Sequence, residues 1–330
     1  MTVSKALRDK PDISATTRAH IQRLAQEAGY VPHSAASGLR SKTTRLLGLV
    51  IPAVTDPIFA RLVSAVEQNA HELGYEVILI HSLGSVEREE RCLRRLLARR
   101  IDGLLIAPVP RMVPQAAVFD ELRQRGLPTV ILGQRSPFCS AFTSVETDDL
   151  AASAAVTRHL LELGHRRIAF LGGPRTAPWA TERLDGYLLA LREAGIEMDD
   201  RLIYNAGTTV DEGAKTVLEF IHDQSDATAL QAVNDLIAIG AANTLLNQGI
   251  RIPQDLSVAG FGNVLVSEYF RVPLTSVRQP KFRIGALALD HLLHLMRGEP
   301  VETQRLSAEL VIRASTGPKP NEAAPSVTTG

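Results

Sequence analysis

The chain has 330 residues, 45% of them hydrophobic, which is long enough for more than one domain and apolar enough to fill real cores. No run of about eighteen apolar residues is present to span a membrane, and the charged N-terminus lacks the apolar stretch of a secretory signal, so a cytoplasmic protein is expected. Net charge is zero, and the two cysteines, Cys92 and Cys139, lack metal-ligand spacing and read as ordinary thiols of a reducing compartment.

The charge is unevenly spread. Residues 1–45 hold eight bases (Lys5, Arg8, Lys10, Arg18, Arg23, Arg40, Lys42, Arg45) against three acids (Asp9, Asp12, Glu27), so a basic head precedes an acidic body. A polyanion partner is expected for the head alone. Within it Ser14 caps one clear helix, in which Ile21, Leu24, Ala25 and Ala28 share a face and which Gly29 ends. Pro32 breaks the chain. Residues 34–39 have room for a short helix, but Gly38 inside it costs about 1 kcal/mol relative to alanine, so the segment should fold only against a partner.

From Leu46 onward strand and helix alternate. The apolar run 46–51 leads to a helix carrying Phe59, Leu62, Val63, Val66 and Ala70, closed by Gly74. Strand 77–80 precedes a helix over 86–100. Its acids Glu87, Glu89 and Glu90 come first and its bases Arg94, Arg95, Arg99 and Arg100 come last, which suits the helix dipole better than it suits a nucleic-acid patch. Further strands are expected at 103–107, 129–132, 168–172, 202–204, 229–233 and 256–260. This alternation makes parallel sheets with crossover helices. So many strands divide into two α/β lobes rather than one very wide sheet, with a first crossing near 143–148. The Pro-, Ala-, Ser- and Thr-rich end reads as a disordered tail.

Two such lobes make a ligand clamp, because strand C-termini and helix N-termini face the gap between them. No dinucleotide fingerprint, phosphate-binding loop or nucleophile elbow appears, and nothing assembles a catalytic set. The chain therefore reads as a non-enzyme without a cofactor. His291 and His294 stand three apart without a ligand pattern around them, and read as packing rather than as a metal site.

Several stretches, taken together in order and spacing, resemble the LacI/GalR family of transcriptional regulators. Thr2-Val3-Ser4-Lys5-Ala6-Leu7 is similar to its recognition helix. Gly29-Tyr30-Val31-Pro32 and Ala35-Ala36-Ser37-Gly38-Leu39-Arg40 are similar to the approach to its hinge helix. In the body, Gly48-Leu49-Val50-Ile51-Pro52, Asp56-Pro57-Ile58-Phe59, Leu163-Gly164-His165-Arg166-Arg167-Ile168, Asn234-Asp235-Leu236-Ile237-Ala238-Ile239-Gly240 and Pro273-Leu274-Thr275-Ser276-Val277 match family stretches. The resemblance runs from Met1 to about Thr316. It implies an α/β fold: a two-lobed periplasmic-binding-protein-like (type I) core with a small all-α N-terminal DNA-binding head. The expected parts are a partial helix-turn-helix head (1–33), hinge helix and linker (34–45), N-terminal lobe (46–145 plus 278–305), C-terminal lobe (146–277 plus 306–316) and disordered tail (317–330).

The resemblance also implies roles. Lys5 would donate to guanine in the major groove, Thr2 and Ser4 would meet phosphates, Leu39 would wedge into a minor-groove step and Arg40 would lie beside it near phosphate. In the cleft, Phe59, Arg183 and Asn234 match effector-contacting positions. Trp179, one helical turn before Arg183, would stack on a sugar face or simply pack. Two acids with which family members take neutral sugars are replaced by Gly133 and Gly262. That change points to a sugar acid or phosphorylated sugar opposite Arg183, or to Asn263 substituting for a lost carboxylate. The expected protein is a homodimeric, sequence-specific repressor that binds operator DNA and a sugar-like effector. A solute-binding protein of the same fold, without DNA binding, is the alternative. The resemblance implies that the first helix of the helix-turn-helix precedes Met1, so the chain as it stands is expected to bind operator weakly or not at all, and in-frame translation of the upstream DNA is expected to show that helix.

Overall fold

The structure is a computed structural model and describes Ala6, residues 13–29 and residues 43–320. Two compact units divide the chain, Met1–Thr44 and Arg45–Gly330. In the first, Ala15–Glu27 form helix α1. The Ser14 hydroxyl caps it by accepting from the Thr17 backbone N–H at 3.3 Å, as expected of a short side chain that satisfies an orphan helix donor. Gly29 leaves the helix at φ +61°. The expected apolar face is largely open, with Leu24 48% exposed. Thr2, Ser4, Lys5, Leu39 and Arg40, together with the expected hinge helix, lie outside the described residues.

The second unit holds two six-stranded sheets. Strands β1 (Leu46–Ile51), β2 (Glu76–His81), β3 (Gly103–Ile106), β4 (Thr129–Leu132), β5 (Thr143–Thr147) and β11 (Gln304–Leu306) form one, in the order β11-β5-β4-β3-β1-β2 and all parallel. Strands β6 (Ile168–Gly172), β7 (Ile203–Asn205), β8 (Ala229–Ala232), β9 (Ser257–Phe261), β10 (Thr275–Arg278) and β12 (Glu309–Val311) form the other, in the order β12-β10-β9-β8-β6-β7, with β12 antiparallel. Helices α2 (Ala60–Glu72), α3 (Val86–Ala98), α4 (Ala117–Gln124) and α10 (Lys281–Met296) go with the first sheet. Helices α5 (Asp149–Glu162), α6 (Pro178–Glu193), α7 (Val210–His222) and α8 (Asp235–Asn247) go with the second.

The apolar strand runs are explained by burial on both faces. Along β1, Leu47, Leu49 and Ile51 join Leu62, Val66 and Leu292 in one core, while Val50 joins Leu93, Leu96 and Phe119 in the other. Without β11 and β12, each lobe has the strand order 2-1-3-4-5. The order reverses between β1 and β3 and again between β6 and β8, and ligands bind at such reversals, beyond the strand C-termini.

Several expectations need correction. Strands β10, β11 and β12 were not anticipated, and 143–147, expected as a crossing, is a strand. The chain leaves the first sheet after Thr147, returns after Arg278 and crosses again between Leu306 and Glu309. Thr147 and Leu306 pair in the first sheet and Arg278 pairs with Glu309 in the second, which moves the expected boundaries by one or two residues. The tail expected to begin at 317 is tied down there: Gly317 N–H donates to Ser257 Oγ at 3.1 Å and Lys319 N–H to the Leu163 carbonyl at 2.9 Å. Among the described residues no helix is long and apolar enough to cross a membrane, and Cys92 and Cys139 are buried free thiols.

Candidate functional site

The strand C-termini of the second lobe carry a buried arginine. Arg183 projects from α6 and is 4% exposed. Its Nε and Nη2 donate to Asp149 Oδ2 at 3.0 and 2.8 Å, and its Nη1 donates to the Val233 carbonyl, just past β8, at 2.7 Å. The guanidinium lies over the Phe261 ring at 3.8 Å and the Trp179 ring at 4.9 Å, a cation held between two π faces. Trp179 and Arg183 thus come together as their one-turn spacing predicts. Phe261 was not foreseen as a partner, although it ends β9, the neighbour of β8. Three of the five guanidinium donors are used, which leaves two. Because Asp149 already balances the charge, Arg183 is better equipped to donate hydrogen bonds than to neutralise an anion.

Asp149, the first residue of α5, also accepts from Gln279 Nε2 at 3.1 Å, so the residue following the second crossing meets the residue following the first. Neither Asp149 nor Gln279 was singled out from the sequence. Each is a single polar residue next to a short strand, and only the crossings bring the two together.

Asn234 caps α8: its Oδ1 accepts from the Ile237 N–H at 2.8 Å and its Nδ2 donates to the Thr208 carbonyl at 3.0 Å, leaving one amide hydrogen. Asn263 adopts φ +46°, and its Oδ1 accepts from Arg313 Nη2 at 2.7 Å, so this oxygen is already occupied. Phe59, half-buried, packs on the core of the first lobe. The two glycines at positions where the resemblance implies acids both have left-handed backbones, Gly133 at φ +98° and Gly262 at φ +127°. A side chain at Gly262 would meet Ile58 of the opposite lobe and Asp235.

Asp235, 1% exposed, accepts from Ser276 Oγ (2.6 Å), Val264 N–H (2.8 Å) and Ser267 Oγ (2.8 Å), and burial pushes its pKa up. It fastens the segment after β9 and so holds Phe261 against Arg183. Across the cleft, burial also raises Asp56, whose Oδ1 accepts from the Ile58 N–H at 3.1 Å, with Lys281 and Arg183 opposing the rise. Burial pushes Lys281 down to about 8, against the pull of Asp149 and Asp56. The lobes are also tied directly. Glu182 of α6 pairs with Arg305 of β11 and accepts from Gln134 Nε2 at 3.3 Å, and burial raises its pKa. Among the described residues no group of three or more His, Cys, Asp or Glu could hold a metal ion.

A family model described as a periplasmic binding protein-like domain matches residues 157–316. The "HTH-type transcriptional repressor CytR" of Escherichia coli K12 is 30% identical over 96% of this chain and 92% of its own length. The "Ribose operon repressor" of the same organism is 28% identical, covering 92% of both. Among solved structures, the "transcriptional regulator CelR-cellobiose complex" superposes with a TM-score of 0.76 at 30% identity over 95% of each chain. A LacI-family regulator from Enterococcus faecium with bound ribose has a TM-score of 0.74 at 28% identity, covering 83% of this chain and 99% of its own.

Proposed function

This chain belongs to the LacI/GalR family of DNA-binding, ligand-responsive transcriptional repressors, and we propose that it senses a sugar or sugar-derived small molecule in the cleft between its two lobes. The observation that carries the reading is Arg183, buried at the strand ends between Trp179 and Phe261, with its charge balanced and two donors left for ligand oxygens. Trp179 and Phe59 supply apolar faces for a sugar ring, and Asn234 supplies one further donor. The ribose and cellobiose bound to two structural relatives support this class of ligand.

Ligand joins the lobes, and the tie between Glu182 and Arg305 is one of the contacts that such closure strengthens. Operator binding and ligand binding then alter each other's affinity by the same factor, as linkage requires. In the head, Lys5 reads bases, Thr2, Ser4 and Arg40 meet phosphates, and Leu39 wedges the minor groove. The protein works as a cytoplasmic homodimer. The exposed apolar side chains Leu265 (71%), Val266 (45%) and Tyr269 (75%), clustered on the short helix α9 (Leu265–Tyr269), support an interface on the second lobe.

Selection of bound fragments from random-sequence DNA by the protein tests the reading. An enriched two-fold-symmetric site is expected, with recovery that falls steeply as salt is raised. Ligand binding with no DNA enrichment at any salt concentration supports the solute-binding alternative instead.

A further inference from the structure

We propose that Lys281 and Asp56 form a second polar clamp in the cleft, which bridges a hydroxyl of a neutral polyhydroxy ligand and discriminates against sugar acids and sugar phosphates. The proposal rests on reading the cleft as the effector site, and it names the ligand class.

Lys281 is the first residue of α10, where the positive end of the helix dipole disfavours an ammonium. It is half-buried, yet among the described residues its Nζ has neither a hydrogen bond nor a carboxylate at ion-pair distance. Its charged neighbours are Asp149, Asp56 and Arg183. Asp149 is already served by Arg183 and Gln279. Asp56 has one oxygen on the Ile58 N–H, and the other has no partner among the described residues. A lysine placed against the dipole, desolvated and without a partner costs stability, and a ligand atom would relieve that cost.

Which ligand atom follows from what is left unserved. Lys281 offers donors and lacks an acceptor. Asp56 offers an acceptor and lacks a donor. Gln279, 7% exposed and two residues before Lys281, has a buried Oε1 that no donor reaches. A hydroxyl accepts from Lys281 and donates to Asp56 at once, and a second hydroxyl can serve another acceptor. Seated on Lys281, a carboxylate or phosphate group brings acceptors only, so Asp56 and Gln279 would have to be served by hydroxyls elsewhere on the same ligand. The charges agree: Asp56 and Asp149 balance Lys281 and Arg183, and an anion would leave this quartet, two of whose members are fully buried, at least one negative charge in excess. Asp56 thus offers a sugar hydroxyl a carboxylate oxygen that no described residue serves.

Thermal unfolding of the full chain with D-ribose, D-glucose, cellobiose, D-gluconate and glucose 6-phosphate tests this, for the wild type, Lys281→Met, Lys281→Gln and Asp56→Asn. At least one neutral probe should raise the Tm of the wild type, and the two anions should not. Lys281→Met should weaken that probe's binding about tenfold or more, and Lys281→Gln, which keeps a donor, should lose less. Asp56→Asn, which loses an acceptor but keeps the Ile58 cap, should weaken binding to a similar degree. Stabilisation by the anions alone, by none of the five probes, or equally in wild type and Lys281→Met overturns the proposal. Each of these outcomes leaves the regulatory reading to be judged separately, by DNA selection.

Discussion

Both lobes bury an arginine against a carboxylate and two aromatic rings. In the first, Arg111 pairs with Glu89, which is 0% exposed and also accepts from the Val109 N–H at 2.5 Å, and the guanidinium lies over Phe138 at 4.6 Å and Phe119 at 5.6 Å. In the second, Arg183 pairs with Asp149 between Trp179 and Phe261. The local chemistry is nearly the same, and the surroundings set the two apart. Arg111 sits beside the thiol of Cys139 and the rings of one core, whereas Arg183 lies within reach of Lys281, Asp56 and Gln279 at the junction of the lobes. A buried ion pair is therefore not itself a mark of function; position relative to the chain crossings is what separates the two.

The largest effect should come from removing each arginine. Arg111→Leu and Arg183→Leu each strand a buried carboxylate and should cost about 3–5 kcal/mol in urea unfolding. The folded fraction of Arg111→Leu should still respond to ligand, and Arg183→Leu should not. Equal ligand responses would erase the distinction between the two pairs. Pairing Arg111→Leu with Glu89→Leu should recover much of the loss, because no uncompensated charge remains.

Gly262→Asp puts an acid at φ +127° and beside Asp235. It should cost about 1–3 kcal/mol of stability in the same measurement and gain no affinity for neutral sugars. A tighter, fully stable variant would show that the backbone there is freer than its geometry implies.

Acid should act on the second lobe through His165. Its ring nitrogens bond Thr228 Oγ1 (2.8 Å), Ser257 Oγ (3.1 Å) and the Gly317 carbonyl (3.0 Å), and burial holds its pKa below the ordinary 6.5. The unfolded chain thus takes up the proton first as pH falls. Stability present at neutral pH is lost as pH drops from about 6.5 toward the folded value. Urea midpoints measured between pH 7 and 5 should decline for the wild type and decline less for His165→Asn; parallel slopes would assign the acid sensitivity elsewhere.

The smallest effect belongs to the tie between lobes. Arg305 is 41% exposed in its pair with Glu182, so Glu182→Gln should change stability by no more than about 1 kcal/mol. Its readout is a ligand affinity reduced by a factor of a few; an unchanged affinity would remove this tie from the closure.

The two lobes and the family were legible in the residues themselves. Apolar runs such as 46–51 and 168–172 specify strands buried on both faces, Ser14 starts a helix through its hydroxyl and Gly29 ends it through its left-handed backbone, and the one-turn spacing of Trp179 and Arg183 places them side by side on any helix. These are local effects, carried by residues within a turn or a strand of one another. Strands β5, β10, β11 and β12 were not legible, because they are short and rich in Thr, Ser, Gln, Arg and Glu, and their partners lie up to 159 residues away, as in Ser144 with Thr303. The charged quartet was hidden for the same reason. Asp56, Asp149, Arg183 and Lys281 have no periodic relation along the chain, and only the crossings between lobes bring their charges within reach of one another and out of water.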